Sequence, residues 1–284
     1  MRLRPVDALW IGALLSAACD APRSAPAADE ATAPAAHQDE KADRTGVEDR
    51  PDVVLAKHEE PKAEPACGPG MKLVICGTLS TLERGKDVEV AAFCLDEVEI
   101  SVAAWRDCET SGACPRLSAR TDWGSASEDD VVSRFCNGGL SGVDDHPANC
   151  VSLNEAAAYC ERLGKRLPNG DEWEWAARGG PNVKATPWGS PVATDQICWG
   201  KPKKRAGTCP LRSHALDQTP DGVRDLGGSV SEWVTPPSRN GKATGARWLY
   251  GASWYATDDG YARAALGGVQ TLARRAEAIG FRCA

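Results

Sequence analysis

Cysteine is the residue type with the widest choice of chemistry in this 284-residue chain, because thiols form disulfides, bind metals and act as nucleophiles. The chain contains 12 cysteines. Such a density is unusual in a reduced cytosolic protein and typical of an exported one that disulfides stabilise. Short separations along the chain predict four local bridges, which are Cys67–Cys76, Cys108–Cys114, Cys136–Cys150 and Cys198–Cys209.

Histidine, serine and glycine patterns indicate little other chemistry. From residue 67 onwards the only histidines are His146 and His214, and their spacing does not suit a shared metal ion. Ser253 has no evident histidine and aspartate partners for nucleophilic catalysis. The glycines of residues 222–228 lie in an acidic loop that would repel phosphate. The formal net charge of −7 argues against a nucleic-acid partner, which requires a basic surface.

The first 18 residues have the pattern of a bacterial lipoprotein signal peptide. Arg2 and Arg4 precede an apolar run over residues 8–18, which is too short to cross a bilayer. The segment ending at Cys19 resembles a lipobox, in which this cysteine carries the lipid anchor; an ordinary signal peptide is the alternative. Residues 19–66 are mostly Ala, Pro and acidic side chains. We therefore expect a disordered linker that holds the following domain away from a membrane.

A single folded domain is predicted over residues 67–284. Three short helices are indicated: one after Ser101, one that begins with a capping box at Ser152, and one in which Asn169 stands three residues before a glutamate. Short strand-like runs and long loops rich in Gly, Pro, Asp and Trp separate these helices. The pattern predicts an α+β fold with little regular secondary structure, in which disulfides supply rigidity.

Five motifs occur in the order HPANCVSLNEAAAYCERLGKRLPNGDEWEWAARGG, PWG, DLGGSVSEW, YGASW and GFRCA. With these motifs the chain resembles the formylglycine-generating enzyme family, also called sulfatase-modifying factor domains, over residues 86–284. The resemblance implies a variant of the C-type lectin-like fold and a disulfide between Cys160 and Cys283. Cys94 then has no assigned partner. We expect it to be a buried, inert thiol, and a reactive nucleophile is the alternative.

The resemblance implies a copper-dependent oxidase that converts a sulfatase cysteine to formylglycine, with the copper ion held by two thiolates. Counted from Ser253, the two thiolate positions are Ala256 and Tyr261 in this chain. No cysteine lies between Cys209 and Cys283 that a shifted alignment would supply. A related branch of the family holds iron with histidines, and this chain lacks histidines at such spacing. We therefore expect neither copper nor catalytic residues.

A calcium loop of the family is better preserved. The resemblance places its ligands at the Asp225 side chain, the Gly228 and Val230 carbonyl groups and the Glu232 side chain. Oxygen donors that include two carboxylates suit Ca²⁺. We expect a structural calcium ion here, and the alternative is that the two acids are solvated loop residues.

Tryptophan is abundant, with 10 residues against three phenylalanines. Four of these tryptophans are expected in the core, namely Trp173, Trp175, Trp233 and Trp254. Trp188 and Trp199 are each followed by glycine in a loop. Packing is the favoured interpretation for both, and the alternative is that they contact a ligand by stacking on a sugar or peptide.

The sequence thus predicts an exported lipoprotein, anchored to a cell-envelope membrane on its periplasmic or surface side. Its sulfatase-modifying-factor-like domain is expected to be a non-catalytic monomer that binds a protein, peptide or glycan. Two alternatives stay open. One is a formylglycine-generating oxidoreductase with a non-standard active site, and the other is a purely structural envelope protein.

Overall fold

The computed structural model describes residues 65–81, 86–122, 124–182, 186–187, 189, 196–200, 206–236, 238–239, 242–243, 249–257, 267–268 and 274–284. One compact unit extends from Glu64 to Ala284. The predicted signal peptide, the lipid anchor at Cys19 and the linker lie outside the described residues. None of the helices in the described part of the chain has the length and apolar character needed to cross a bilayer.

In the described part of the chain, four short α-helices begin at capping side chains. They are α1 (Val102–Thr110), α2 (Ala126–Val132), α3 (Leu153–Arg162) and α4 (Gly170–Ala177). At α3, the Ser152 hydroxyl accepts the N–H of Glu155, and the Glu155 carboxylate accepts the N–H of Ser152. Asn169 and Glu172 form the equivalent box at α4. These bonds satisfy the N–H groups that a helix start leaves unpaired. The sequence predicted α1, α3 and α4 but not α2, which has its own capping box at Ser125.

The strands of the described residues are short and form small sheets. They are β1 (Met71–Val74), β2 (Gly77–Thr81), β3 (Lys86–Val90), β4 (Phe93–Asp96), β5 (Ser231–Trp233), β6 (Ser238–Arg239), β7 (Lys242–Ala243), β8 (Leu249–Tyr250), β9 (Gly267–Gly268) and β10 (Ile279–Gly280). Three antiparallel pairs are β1 with β4, β2 with β3, and β6 with β7. A four-stranded sheet has the order β10-β5-β8-β9, in which β10 and β5 are parallel.

Two large groups of buried side chains, together with a smaller one around Trp254, form the interior of the described residues. The first surrounds Trp105 of α1, whose ring stacks on Tyr159 of α3 with 5.2 Å between the ring centroids. Phe281 meets the edge of Trp105 at 6.0 Å and so joins the chain end to this group. The second group packs Trp173 and Trp175 of α4 against the first four strands and β8. All four tryptophans predicted to be in the core are buried.

Disulfides connect the helices, loops and strands. The described bonds are Cys67–Cys94, Cys108–Cys114, Cys136–Cys150, Cys160–Cys283 and Cys198–Cys209. Four of the predicted pairs are therefore confirmed. The predicted bridge Cys67–Cys76 is wrong, and the prediction that Cys94 is unpaired is wrong as well. The antiparallel pairing of β1 with β4 sets Leu73 opposite Cys94, which brings Cys67 to a Cα–Cα distance of 5.4 Å from Cys94. Cys76 is disulfide-bonded as well.

The fully buried side chain of Arg282 joins several segments of this fold. Its Nε and Nη2 donate to the Glu232 carboxylate of β5. Nη1 donates to the carbonyl groups of Asp96 and Glu97 at the end of β4, and Nη2 also donates to the Arg224 carbonyl. A planar guanidinium with five N–H donors is suited to such a junction. Arg282 thereby fixes the loop before β5 relative to β4 and to the chain end.

Candidate functional site

The segment with the catalytic positions expected from the resemblance follows β8 directly. Gly251 has a φ of +81°, and a Cβ there would lie 3.1 Å from a backbone carbonyl oxygen. Only glycine accepts this conformation and this approach without strain. The Trp254 N–H donates to the Ser229 carbonyl at 2.9 Å, and the Ala256 N–H donates to the Ser253 carbonyl at 2.9 Å. These bonds hold a tight turn over residues 253–256 against the loop before β5.

Ala256 occupies the first of the two expected thiolate positions, and Tyr261, at the second, lies outside the described residues. The Ala256 carbonyl accepts the Gly200 N–H at 2.7 Å, so its backbone is fixed, but its methyl side chain cannot ligate a metal. Every cysteine in the described part of the chain is disulfide-bonded. The described residues therefore offer no pair of thiolates to a copper ion.

The hydroxyl group of Ser253 is not arranged as a nucleophile. Ser253 is buried, and among the described residues its Oγ has no hydrogen bond to a histidine. The Nδ1 atom of His146 lies 2.8 Å from the Thr208 hydroxyl, and the Nδ1 atom of His214 lies 3.0 Å from the Ser213 hydroxyl. A base that activates serine must be within hydrogen-bond reach of it.

An aromatic row, comprising Arg134, Phe135, Trp254 and Tyr255, lies at the turn of residues 253–256. The Arg134 guanidinium carbon is 4.7 Å from the centroid of the Phe135 ring. The Phe135 and Trp254 centroids are 5.0 Å apart, and those of Trp254 and Tyr255 are 5.7 Å apart. Trp254 is buried, whereas Tyr255 is 71% exposed and Arg134 is exposed. The row therefore connects the interior to the surface.

One of the two tryptophans considered as ligand contacts is not accessible. Trp199 is fully buried, so it packs in the interior, as favoured from the sequence, and its ring face does not stack on a ligand. The neighbouring backbone explains this burial, because the Cys198 carbonyl accepts the Ser229 N–H at 2.8 Å and draws residues 196–200 against the loop before β5. Trp188 lies outside the described residues. The exposed aromatic side chain in this region is Tyr255, which the sequence reasoning did not single out.

The predicted calcium loop runs from Asp225 to Glu232 and leads into β5. Asp225 and Ser229 have φ values of 58° and 67°, in the left-handed region that residues other than glycine rarely adopt. A Cβ on Gly228 would lie 2.6 Å from the Cys198 carbonyl oxygen, so glycine is required at this close approach. A backbone held in such conformations is typical of functional loops.

Both predicted carboxylate ligands accept hydrogen bonds from the protein. Glu232 Oε1 accepts Arg282 Nη2 at 2.7 Å, and Glu232 Oε2 accepts Arg282 Nε at 2.8 Å and Trp173 Nε1 at 2.9 Å. Asp225 Oδ2 accepts the Arg212 backbone N–H at 2.7 Å. Each carboxylate oxygen has two lone pairs. Acceptor capacity is therefore left on both carboxylates.

Four buried carboxyl groups surround the guanidinium of Arg282. The carboxyl groups of Glu99, Asp217, Asp225 and Glu232 are all buried and all interact electrostatically with it. Burial, followed by the charge of Asp225, raises the pKa of both Glu99 and Asp217 well above the usual range. Glu99 lies 3.7 Å from Arg282, and its two carboxylate oxygens have no hydrogen-bond partner.

The chemistry of the expected donor set, with hard oxygen atoms on two carboxylates and two carbonyl groups, is of the kind that calcium prefers. The described residues contain no group of three His, Cys, Asp or Glu side chains arranged for a metal. The expected ion would therefore rely on the two carboxylates of Asp225 and Glu232 together with the carbonyl groups of Gly228 and Val230.

Sequence reasoning missed the charged network and the exposed aromatic side chain. The GFRCA motif contained Arg282, but nothing local indicated that Glu99 and Asp217, far away in the sequence, would face it. Tyr255 directly follows the core residue Trp254 at a turn. This adjacency is the feature of the sequence that could have indicated an exposed aromatic side chain. A tight turn directs consecutive side chains to different sides, so one is buried while the next is exposed.

Comparisons with known proteins find relatives of this chain. A family model described as a sulfatase-modifying factor enzyme 1-like domain matches residues 57–284. A Bos taurus protein named inactive C-alpha-formylglycine-generating enzyme 2 is 37% identical over 153 residues, which are 49% of this chain and 50% of that protein. The formylglycine-generating enzyme of Streptomyces coelicolor is 29% identical over 172 residues, 51% of this chain and 54% of that enzyme. The chain thus spans about half the length of the curated relatives it matches.

Solved structures share the fold. PvdO from Pseudomonas aeruginosa superposes with a TM-score of 0.57 at 19% identity. The superposed region is 77% of this chain and 98% of the PvdO chain. Treponema denticola variable protein 1 has a TM-score of 0.57 at 16% identity. The superposed region is 75% of this chain and 93% of that protein's chain. At such identities the likeness shows the fold alone. It confirms the predicted α+β, C-type-lectin-like architecture.

Proposed function

Since this chain belongs to the sulfatase-modifying factor family, whose model matches residues 57–284, we propose that its domain is a non-catalytic member that binds a protein, peptide or glycan. The observation that carries this proposal is Ala256 at a thiolate position, with every described cysteine held in a disulfide. Without two thiolates the copper chemistry of the family has no ligands. The name of the inactive Bos taurus relative supports the same interpretation.

A binding role needs accessible side chains in place of reactive ones. The turn of residues 253–256 is firmly hydrogen-bonded, and it presents Tyr255 to solvent. An exposed aromatic side chain on a rigid backbone is a common anchor in binding sites. Folds of this kind support different functions through the side chains placed on them. The face that served catalysis in other members would serve recognition in this chain.

The proposed location is the exported side of a bacterial membrane. The disulfides of the described residues support an oxidising compartment. Lipid on Cys19 would supply the anchor, and residues 20–66 would act as the spacer, on the periplasmic or surface side. The domain would reach its ligand as a monomer.

A structural calcium ion is the proposed cofactor. Asp225, Gly228, Val230 and Glu232 would hold it, and the buried carboxyl groups near Arg282 support a cation at this place. When bound, the ion supplies charge neutralisation and a further connection within the loop before β5. It has no role in a reaction in this proposal.

Competition for Cu(I) tests the non-catalytic assignment. The purified protein is mixed with Cu(I) bound to a chromophoric chelator, and the loss of the chelator's colour is followed. We expect the protein to remove no copper, because the described cysteines are all oxidised. The double variant Ala256→Cys with Tyr261→Cys is the matched positive control. Removal of one equivalent of Cu(I) by the unaltered protein would contradict the proposal.

A further inference from the structure

The aromatic row ends in an exposed side chain on each side, Tyr255 at one end and Arg134 at the other, and both types of side chain are suited to holding a ligand. Tyr255 is 71% exposed and its ring contacts the buried Trp254, which holds it from behind. Trp254 is itself fixed, since its Nε1 donates to the Glu277 carbonyl at 3.2 Å. An exposed ring that a rigid neighbour orients loses little conformational freedom on binding. This property makes tyrosine effective in recognition surfaces.

At the other end, Arg134 offers a positive charge. Its guanidinium stacks on Phe135, and among the described residues no carboxylate pairs with it. Phe135 is in turn held by its backbone, because its carbonyl accepts the Asn149 side-chain amide at 2.9 Å. A stacked guanidinium keeps its N–H edge available to an incoming carboxylate. Tyrosine and arginine are both enriched among the residues that dominate binding energies.

We propose that Tyr255 and Arg134 anchor an extended peptide that presents an acidic side chain close to an aromatic or proline side chain. The inference rests on the proposed binding function and names the ligand class for it. The peptide carboxylate pairs with Arg134, and the flat apolar side chain packs on Tyr255. Arg134 supplies the charge complementarity that selects acidic over basic peptides.

The surroundings of the row favour a peptide over a neutral glycan. Sugars stack on aromatic rings but also require polar side chains around the ring to bind their hydroxyl groups. Among the described residues, Tyr255 rests on the buried Trp254, the half-buried Phe135 follows, and the row ends with a cation. This combination matches an apolar side chain and a carboxylate, which a peptide places within a few residues of each other.

An array of 12-residue peptides tests the assignment with the full protein. The array contains peptides with alternating acidic and aromatic side chains, matched peptides in which lysine replaces the acids, and acidic peptides without aromatics. We expect the acidic aromatic set to give the strongest binding. Tyr255→Ala should weaken that binding about tenfold, the usual effect of removing one anchor. Arg134→Glu should reverse the preference towards the lysine peptides.

Matched controls separate this inference from loss of folding. Leu163→Ala removes another exposed apolar side chain and should leave the array unchanged, and all variants should melt at the temperature of the unaltered protein. An array without preference for acidic aromatic peptides would overturn the inference, as would a preference that Arg134→Glu leaves intact. Binding of a neutral oligosaccharide that depends on Tyr255 would also overturn it, while the non-catalytic proposal would stand. Only Cu(I) capture or formylglycine formation bears against that proposal.

Discussion

Glu232 and Arg282 form a buried ion pair with two parallel hydrogen bonds, one from Nη2 to Oε1 at 2.7 Å and one from Nε to Oε2 at 2.8 Å. The pair joins β5 to the chain end, and the other N–H groups of Arg282 bind backbone carbonyls of the β4 end and the loop before β5. In the interior such a bidentate pair fixes geometry as well as charge. The relative position of the loop of residues 225–232 and the chain end depends on this contact.

Removal of Arg282 should therefore be strongly destabilising. Arg282→Met leaves the buried Glu232 carboxylate without its partner and should lower the free energy of unfolding by about 3–5 kcal/mol, measured by urea titration. The control is Arg120→Met, which breaks an exposed pair with Asp130 and should cost less than about 1 kcal/mol. Equal losses of unfolding free energy in the two variants would show that burial does not increase the contribution of the Glu232–Arg282 pair to stability.

The bridge between Cys160 and Cys283 should contribute more stability than the bridge between Cys108 and Cys114. The two bonds close sequence separations of 123 and 6 residues. In the loop-entropy model, replacing both cysteines with alanine should cost about 5 kcal/mol for the long loop and about 2.4 kcal/mol for the short one. Chemical denaturation of the two double variants measures the difference. A larger loss for the short loop would refute this ranking.

His146 should make folding stability depend on pH. Burial lowers the pKa of His146 below 6.5, although the charge of Asp145 opposes the shift. The unfolded chain therefore binds the proton more readily, and stability falls as the pH falls through about 6.5 towards the lower pKa of the folded state. His146→Gln should remove this contribution, so the unaltered protein should lose more stability than the variant between about pH 7.5 and 5.5. If the stability of the two proteins changes with pH in parallel, His146 does not contribute to the pH dependence.

Calcium should raise the melting temperature if the proposed loop binds it. At saturation a bound ion contributes a few kcal/mol, so adding the chelator EGTA should lower the melting temperature by about 5–10 °C. Asp225→Asn removes one carboxylate ligand and should abolish the response to both Ca²⁺ and EGTA. Asp130→Asn, at an exposed position, is the matched control that should keep it. The same melting temperature in Ca²⁺ and in EGTA would argue against the calcium site.

Local features of this fold were predictable from the sequence, because their causes lie within a few residues. The capping boxes at Ser152 and Asn169 fix the starts of α3 and α4 by contacts three residues apart. The short-loop disulfides at Cys108, Cys136 and Cys198 are local in the same sense. In each case spacing along the chain determines spacing in the structure.

Features that depend on strand pairing or on packing between distant segments were not predictable in this way. Cys67 is nine residues from Cys76 but bonds to Cys94, because β1 pairs with β4 and not with its sequence neighbour β2. Trp199 is buried because the loop before β5 binds the adjacent backbone. The carboxyl group of Glu99 meets Arg282 across most of the domain sequence. Such contacts follow from the complete fold.

Turnover of a sulfatase peptide tests the central claim most directly. The protein is loaded with Cu(I) without air and then incubated in air with a cysteine-containing sulfatase peptide and a mild reductant, which supplies the two electrons that O2 needs beyond those of the cysteine. Mass spectrometry follows the conversion of the cysteine to formylglycine. Because Ala256 cannot hold copper, we predict that the peptide mass stays unchanged while an active formylglycine-generating enzyme converts the same peptide. Formation of the aldehyde product by this protein would contradict its assignment as a non-catalytic binding domain.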